Sequence, residues 1–305
     1  MTSITNRPGG TYNIAGIDVS RVGYGTMQLP KLKDEKQAKA ILRKAYELGI
    51  NHFDTAYFYA NGLTNRLLAE ELGTEKNVLF ISKIGAKPTK RGPMPMLPAQ
   101  RPEELRKDVE DNLKSLCTDR LDVVNFRRIA PGTFPLTPAQ KVNFDDQMAE
   151  ILKMKDEGLI GAIGLSSIPY DELKRALPTG IVCVQNHYNL TARNNEGALE
   201  LCKAKQIAWI PFFPLGGGLP CSCKVTDEPI VQEVSKEIGI SPIQTALAWI
   251  LNHSDNSLII PGTTSIKHLE QNAAVGSIKL TDAQMKKLDC VQPKGINKII
   301  NRMLG

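Results

Sequence analysis

A carboxylate, a phenol and an amine occur in the first third of the chain, near the ends of two apolar runs. Asp54 follows the run 50–53, and Tyr59 comes in the next loop. Lys83 follows the second run, 78–82. A phenol can donate a proton to an oxygen that gains charge during a reaction, and a nearby cation lowers the pKa of that phenol. The three side chains together therefore predict a site of chemistry near the ends of these strands.

Each of these side chains also has an ordinary structural interpretation when it is taken alone. Tyr59 could be a packed loop aromatic, Lys83 a surface lysine and Asp54 a brace within its loop. The functional interpretation is favoured because all three come where parallel strands would end, which is the face of a barrel that carries the chemistry. Four other side chains are predicted to be structural: His52, His187, Trp209 and Trp249.

The elements that must position these residues alternate between strand-like runs and helical patterns. The strands are predicted at 22–25, 50–53, 78–82, 121–126, 160–165, 181–185, 207–212 and 258–260. The helices are predicted at 34–48, 63–72, 102–116, 145–157, 170–176, 194–205, 228–238, 242–253, 266–274 and 282–290. Such alternation is typical of parallel strands joined by crossover helices.

About eight strand–helix repeats fit a closed (β/α)8 TIM barrel of the α/β class better than an open sheet. We expect a single domain over residues 1–305. A short N-terminal hairpin at 11–20 would plug the bottom of the barrel, and extra helices would follow the barrel at the C-terminal end. The proline-rich segment 87–101 is predicted to be a long loop on the catalytic face, either a lid or an ordinary loop.

The bulk composition excludes several classes of protein. The net charge of +6 comes without a run of five basic residues, which favours dispersed charge over a nucleic-acid surface. The polar segment 1–10 is not typical of a signal peptide, and no apolar run approaches the ~20 residues that span a bilayer. We therefore expect a cytoplasmic protein without nucleic-acid or membrane partners.

The six cysteines are scattered, and they predict reduced thiols rather than a metal centre. The one close pair, Cys221 and Cys223, lacks the spacing and the second pair that a metal site needs. Free loop thiols are the favoured interpretation, so no metal is expected.

Neither glycine-rich segment of the chain has the fingerprint of a dinucleotide-binding Rossmann fold. Gly23-Tyr24-Gly25 has Gln28 where a third glycine should stand, and 216–218 lacks the strand–turn–helix spacing. A nicotinamide cofactor would have to be held in another way. The segment 261–268 follows the last strand and opens a helix with hydroxyls and a lysine, so it is either a phosphate site or an ordinary capped helix start.

Five separated segments resemble, in order, the aldo-keto reductases: 54–59, 81–83, 164–167, 185–188 and 260–272. The resemblance implies an oxidoreductase that uses NADPH, with Asp54, Tyr59 and Lys83 in the catalytic set. It also implies that Ser166 and Gln185 hold the nicotinamide carboxamide. The full set of cofactor-binding residues that it implies is Gly25, Thr26, Met27, Asp54, Ser166, Ser167, Gln185, Phe212, Phe213, Pro214, Leu215, Gly216, Gly262, Thr263, Thr264, Lys267, His268, Gln271 and Asn272.

The chain departs from the family pattern at four positions. Ser167 stands where the family often has Asn, Phe212 where it usually has Tyr, and His268 where many members have Arg. Arg127 stands where the family has an active-site histidine. Arginine cannot shuttle a proton, but it is a permanent hydrogen-bond donor to a substrate oxygen, which makes Arg127 a fourth candidate catalytic residue.

The segments 122–127 and 211–217 resemble the pyridoxal reductases within that family. This implies a small carbonyl substrate, best pyridoxal reduced to pyridoxine, with Tyr59 as the proton donor and Lys83 lowering its pKa. The alternatives are an aldehyde and ketone reductase of broad specificity, a cofactor-binding regulatory subunit with little turnover, and an unrelated barrel lyase or hydrolase. We expect a monomer or a weak homo-oligomer.

Overall fold

The computed structural model describes residues 6–89, 96–130, 136–217 and 223–292, where short strands alternate with helices. In chain order the strands are β1 (Thr11–Ile14), β2 (Ile17–Ser20), β3 (Tyr24–Gly25), β4 (His52–Asp54), β5 (Leu79–Ile84), β6 (Ala86–Pro88), β7 (Met96–Pro98), β8 (Leu121–Arg127), β9 (Ile160–Ser166), β10 (Cys183–Gln185) and β11 (Ala208–Trp209). The helices are α1 (Glu35–Glu47), α2 (Leu63–Leu72), α3 (Pro102–Leu116), α4 (Phe144–Asp156), α5 (Tyr170–Ala176), α6 (Glu196–Ala204), α7 (Pro229–Ile238), α8 (Pro242–His253), α9 (Ile266–Ala274) and α10 (Asp282–Asp289).

The parallel strands form one sheet in the order β11-β10-β9-β8-β5-β4-β3, and the segment 257–259 closes it. The Leu258 amide donates to the Trp209 carbonyl oxygen on one edge (2.8 Å). On the other edge the Ile259 amide donates to the Arg21 carbonyl oxygen (2.9 Å), and the Gly23 amide donates to the Ile259 carbonyl oxygen (2.7 Å). The sheet therefore has no open edge, and the predicted (β/α)8 barrel is confirmed.

Helices α1 and α8 begin directly after residues whose side chains cap them. The Asp34 side chain accepts a hydrogen bond at the start of α1, and Ser241 makes a capping box with Gln244 at the start of α8. The strands are shorter than predicted at 22–25 and 207–212, because Val22, before β3, and Phe212, after β11, make only isolated bridges.

Side chains alternate between two apolar layers along each strand. Phe53, for example, points outward into the layer between barrel and helices, whereas Leu79 and Ile81 belong to a smaller cluster inside the barrel. Ile14 and Val19 of the β1–β2 hairpin belong to that inner cluster. The hairpin thus plugs the barrel bottom, as predicted.

The segment 87–101 is not the plain loop that was predicted. Strands β6 and β7 form a short antiparallel ribbon in which Ala86 pairs with Pro98. The prediction was wrong because it treated the prolines of this segment as evidence against strands. A two-stranded ribbon tolerates proline, since only some of its backbone positions must donate a hydrogen bond to the partner strand.

Several other sequence expectations concern features outside the barrel itself. Cys221 lies outside the described residues, while Cys223 is half-buried with a free thiol. Over the ranges that the structure describes, no helix is long and apolar enough to cross a membrane, and no group of His, Cys, Asp or Glu side chains is arranged to hold a metal ion. That residues 1–305 form a single domain stays a prediction.

Candidate active site

Asp54 and Lys83 meet inside the barrel because they end neighbouring parallel strands. Asp54 pairs in register with Ile81, so Lys83 lies one pleat further along and points the same way. The Lys83 Nζ donates to Asp54 Oδ1 at 2.5 Å, and the two side chains are only 6% and 5% exposed. Burial by itself lowers the pKa of Lys83, but Asp54 and the nearby Tyr59 phenol outweigh it and raise that pKa above its ordinary value. Lys83 is therefore a cation at neutral pH.

Residues at the ends of two further strands, β10 and β3, also bond to Asp54. Gln185 Nε2 at the end of β10 donates to Asp54 Oδ2 at 2.7 Å. The Thr26 hydroxyl, just after β3, donates to the Asp54 carbonyl oxygen at 3.0 Å. The Lys83 ammonium makes a second bond, to the Thr55 carbonyl oxygen at 3.2 Å. A buried ion pair with this many hydrogen bonds is rigid, and it orients the lysine as well as keeping it charged.

Tyr59 lies half-buried in the loop after β4, with its ring centroid 5.3 Å from Lys83 Nζ. Burial raises the pKa of the phenol, as does the Asp54 carboxylate, whereas Lys83 and Arg127 lower it; the net result is a raised pKa. Lys83 lowers this pKa, as expected, but the expected net lowering toward the working pH is wrong, because desolvation of the phenolate outweighs the cations. Tyr59 is a neutral phenol, which is the form that a proton donor needs.

Arg127 ends β8 and completes the charged group. It pairs in register with Ser166 of β9, and its guanidinium lies over the Phe212 ring at 6.0 Å from the centroid. Burial lowers the pKa of Arg127 while Tyr59 raises it, but a guanidinium remains charged at any working pH. The structure thus brings together all four predicted catalytic side chains.

Polar atoms without partners lie beside this group. Ser166 Oγ, Ser167 Oγ and Gln185 Oε1 are buried and accept or donate no hydrogen bond among the described residues. Ser167 also has a φ of +54°, which turns the chain away from β9. Because a buried polar atom left unpaired costs free energy, these oxygens fit the amide of a bound ligand such as a nicotinamide carboxamide.

An aromatic wall borders the site on the other side. The His187 ring stacks on Phe212 with centroids 5.8 Å apart, and Phe213 packs edge-on against both rings. Asn189 Nδ2 donates to the Phe213 carbonyl oxygen at 2.9 Å, which supports the turn at Phe213, where φ is +52°. His187, two residues after the end of β10, contacts the predicted cofactor residue Phe212, and its structural role stays a prediction. Pro214, Leu215 and Gly216 continue this wall as a half-buried turn.

The remaining predicted cofactor residues form a second group, where the first and last strands of the barrel meet. A Cβ on Gly25 would lie 2.6 Å from the Ile260 carbonyl oxygen, and one on Gly262 would lie 2.6 Å from the Gly25 carbonyl oxygen. Only glycine permits this approach of the two backbones. The residues that follow these glycines, Thr26, Met27, Thr263 and Thr264, are therefore neighbours.

Helix α9 begins beside this group. Ser265 is its N-cap and accepts a bond from the His268 amide at 3.4 Å, and Thr263 Oγ1 accepts one from the Ser265 amide at 3.1 Å. Lys267 and His268 are exposed on the first turn, and Gln271 and the buried Asn272 follow one turn later. Amide groups, hydroxyls and a cation at a helix start suit a phosphate.

Comparison with known proteins agrees with this geometry. The family model described as "Aldo/keto reductase family" matches residues 21–292. A pyridoxine 4-dehydrogenase of Escherichia coli (strain K12) is 37% identical over 289 residues, which are 92% of this chain and 97% of that protein. An uncharacterized oxidoreductase of Schizosaccharomyces pombe is 36% identical over 92% of this chain and 89% of its own length.

A solved structure has the same fold. The aldo/keto reductase from Klebsiella pneumoniae in complex with NADP and acetate superposes with a TM-score of 0.75 at 22% identity, covering 95% of this chain and 97% of that one. The family match spans most of the barrel and includes every predicted catalytic residue. The chain belongs to the aldo/keto reductase family, and it is an oxidoreductase.

Proposed function

We propose that this chain is an NADPH-dependent aldehyde reductase whose best substrate is pyridoxal, reduced to pyridoxine. The observation that carries the proposal is the meeting of the buried Asp54–Lys83 ion pair, the neutral Tyr59 phenol and the Arg127 guanidinium at one end of the barrel. A regulatory, binding-only role would not need this complete acid–base set.

The residues present fit a nicotinamide dinucleotide. Bound NADPH would supply the hydride that adds to the carbonyl carbon. The unpartnered Ser166 Oγ and Gln185 Oε1 would hold the carboxamide, and Phe212 offers an apolar ring face for the nicotinamide. Thr263 and Lys267 at the start of α9 would hold the phosphate that distinguishes NADPH from NADH.

Tyr59 is the group that completes the reduction. As the C–H bond forms, the electrons of the carbonyl π bond move to oxygen, and the phenol donates its proton there. Lys83 and Arg127 stabilise the phenolate that remains, because both lower the pKa of Tyr59. Asp54 keeps the Lys83 ammonium charged and in place, and its own carboxylate raises the pKa of the Tyr59 phenol.

Arg127 supports pyridoxal in particular. The phenolic oxygen of pyridoxal neighbours its aldehyde and loses its proton near neutral pH, so it presents an anion to a fixed cation. A hydrogen bond to such a charged group is worth roughly 1.5–3 kcal/mol, or about tenfold to a hundredfold in specificity. The name of the Escherichia coli relative, pyridoxine 4-dehydrogenase, is consistent with this substrate.

The test compares two aldehydes in two proteins. Arg127→Leu should lower kcat/KM for pyridoxal at least about tenfold more than kcat/KM for benzaldehyde, which has no anionic oxygen. Arg127→Lys, which keeps the charge but loses the planar fork, should lie between Leu and the native protein.

An equal loss with both aldehydes would mean that Arg127 serves catalysis or folding in general. The enzyme would then be a reductase of broad specificity. That the protein is cytoplasmic, and that it is a monomer or weak homo-oligomer, stay predictions.

A further inference from the structure

The Arg127 guanidinium makes few direct interactions that would fix its position. Among the described residues its side chain makes no hydrogen bond or ion pair; it lies over the Phe212 ring at 6.0 Å and interacts electrostatically with the Tyr59 phenol. A long, flexible side chain without such bonds takes its direction from the backbone from which it starts. The place of the guanidinium in the site therefore depends on how the end of β8 is fixed.

The β9 ladder holds one side of that strand end, where the Arg128 amide donates to the Ser166 carbonyl oxygen at 2.8 Å, and a buried amide joins its other side to β5. Gln100 is 0% exposed, and its Nε2 donates both hydrogens to carbonyl oxygens, to Gly85 at 2.6 Å and to Arg127 at 3.0 Å. Its Oε1 accepts from the Ile129 amide at 3.1 Å and from Gln147 Nε2 at 3.3 Å. All the hydrogen-bonding capacity of the side chain is used, so its position is strongly determined.

The Gln100 amide spans the two strand ends that carry the reacting groups. Gly85 comes two residues after Lys83, and a Cβ at Gly85 would lie only 2.5 Å from the Arg127 carbonyl oxygen. The glycine, with a φ of +97°, lets β5 approach the end of β8, and Gln100 then joins the two. Gln100 itself follows the β6–β7 ribbon, so it belongs to neither strand.

We propose that Gln100 is a positioning residue, which holds the Arg127 guanidinium against the Tyr59–Lys83 pair by fixing the ends of β5 and β8 relative to each other. The inference rests on the proposed role of Arg127 in binding substrate. It assigns a specificity function to a side chain that lines neither the substrate site nor the cofactor site.

The experiment is a double-mutant cycle between Gln100→Met and Arg127→Leu. Methionine keeps the length and volume of the side chain but donates no hydrogen bond. Gln100→Met should lower the ratio of kcat/KM for pyridoxal to kcat/KM for benzaldehyde by about fivefold or more, whereas in the Arg127→Leu background it should change that ratio by less than about twofold. Gln100→Glu, which keeps the acceptor contacts but also removes the donors, should behave as Gln100→Met does.

Asn51 provides a matched control at the opposite end of the barrel. It is 0% exposed, its Nδ2 donates to the carbonyl oxygens of Asp18 (3.0 Å) and Asn77 (2.8 Å), and its Oδ1 accepts from the Ser20 amide (2.8 Å). Asn51→Leu therefore removes a similar set of bonds. It should lower the Tm but leave the ratio of the two aldehydes unchanged.

A second readout does not depend on the identity of the substrate. The groups that face Tyr59 are Lys83, Asp54 and Arg127, and withdrawal of Arg127 raises the pKa of the phenol. With benzaldehyde, Gln100→Met should move the basic limb of the profile of kcat against pH to higher pH, as Arg127→Leu does. In the Arg127→Leu background, Gln100→Met should cause no further shift of that limb.

The outcomes separate the two proposals. If Arg127→Leu alone leaves the aldehyde ratio unchanged, the pyridoxal assignment fails, and the pH profile still decides the role of Gln100. If Gln100→Met acts equally on both aldehydes and in both backgrounds, with no shift of the basic limb, Gln100 is only a structural residue and the inference is overturned.

Discussion

The two ends of the barrel treat a polar side chain in opposite ways. His52 and Asp54 are two residues apart on β4, point the same way and are both buried. Burial lowers the pKa of His52 to about 4, so the imidazole is neutral at pH 7. Asp54 instead meets the Lys83 ammonium and the Gln185 amide. At the bottom of the barrel the buried His52 side chain is uncharged. At the top the buried Asp54 carboxylate stays charged because it is paired with the Lys83 ammonium.

This difference separates residues that stabilise the fold from residues that do chemistry. Ile14 and Val19 of the hairpin seal the lower end, where the strands contribute apolar side chains. The ring nitrogens of His52 at the lower end lack partners among the described residues but are neutral, whereas at the upper end unpartnered polar atoms lie beside ions, an arrangement that costs stability and is found where a ligand completes it. Variants at the upper end should therefore act on turnover and those at the lower end on stability.

The largest effect is expected at Tyr59. Tyr59→Phe removes the transferable proton and should lower kcat for reduction by about a thousandfold, within the range for a lost general acid, while leaving the Kd of NADPH unchanged. Tyr57→Phe is the control, since Tyr57 is half-buried in the same loop but lines a groove on the outer side. Steady-state kinetics and fluorescence titration measure the two quantities. A Tyr59→Phe enzyme with most of its native rate would exclude Tyr59 as the donor.

Lys83→Met should lower kcat roughly a hundredfold and change its dependence on pH. Reduction needs the protonated phenol, so kcat falls as pH rises through the pKa of Tyr59. Because Lys83 lowers that pKa, which burial already raises above the ordinary value of a phenol, removal of Lys83 should move the basic limb to still higher pH. Lys107→Met, at an exposed ion pair on α3, should leave the profile unchanged. An unaltered basic limb in Lys83→Met would count against the role of Lys83.

A smaller effect is expected at the cofactor phosphate. Lys267→Ala should weaken NADPH binding roughly tenfold, as for a lost bond to a charged group worth ~1.5 kcal/mol, with little change for NADH. Lys279→Ala, after the helix, serves as the control. The Kd values of both cofactors measure the effect. Equal affinity of the native protein for NADPH and NADH would contradict the assignment of this site.

The smallest effect on turnover, and a clear one on stability, is expected for His52→Leu. The folded pKa of about 4 lies below the ordinary value of 6.5, so the unfolded chain binds the proton more tightly. Stability is therefore lost as pH falls below about 6.5, by roughly 2 kcal/mol at pH 5 for this group alone. His52→Leu should remove that acid-sensitive part of the free energy of unfolding, measured by urea titration at pH 7.5 and pH 5. If His52→Leu loses as much stability between pH 7.5 and pH 5 as the native protein does, a group other than His52 causes the acid sensitivity.

Much of this arrangement could be predicted from local signals. Capping residues such as Asp34 and Ser241 set helix boundaries, and strand ends located Asp54 and Lys83. Three features could not be predicted. The raised pKa of Tyr59 depends on burial by distant segments, the ribbon of β6 and β7 depends on pairing between prolines, and the contacts of Gln100 depend on where that ribbon returns. Each is set by tertiary packing rather than by neighbours in the chain.

The closure of the barrel at segment 257–259 has a consequence for how the protein moves. This seam is held by isolated bridges, Val22 with Ile259 and Trp209 with Ser257, rather than by a long ladder. A junction with few ladder bonds opens at a lower cost than a long ladder, so amide hydrogen exchange should be faster there than along the β8–β9 ladder. The Gly25 and Gly262 backbones lie at the same seam. A cofactor bound there would stabilise the closed seam, and amide hydrogen exchange at the seam should therefore become slower when the cofactor binds.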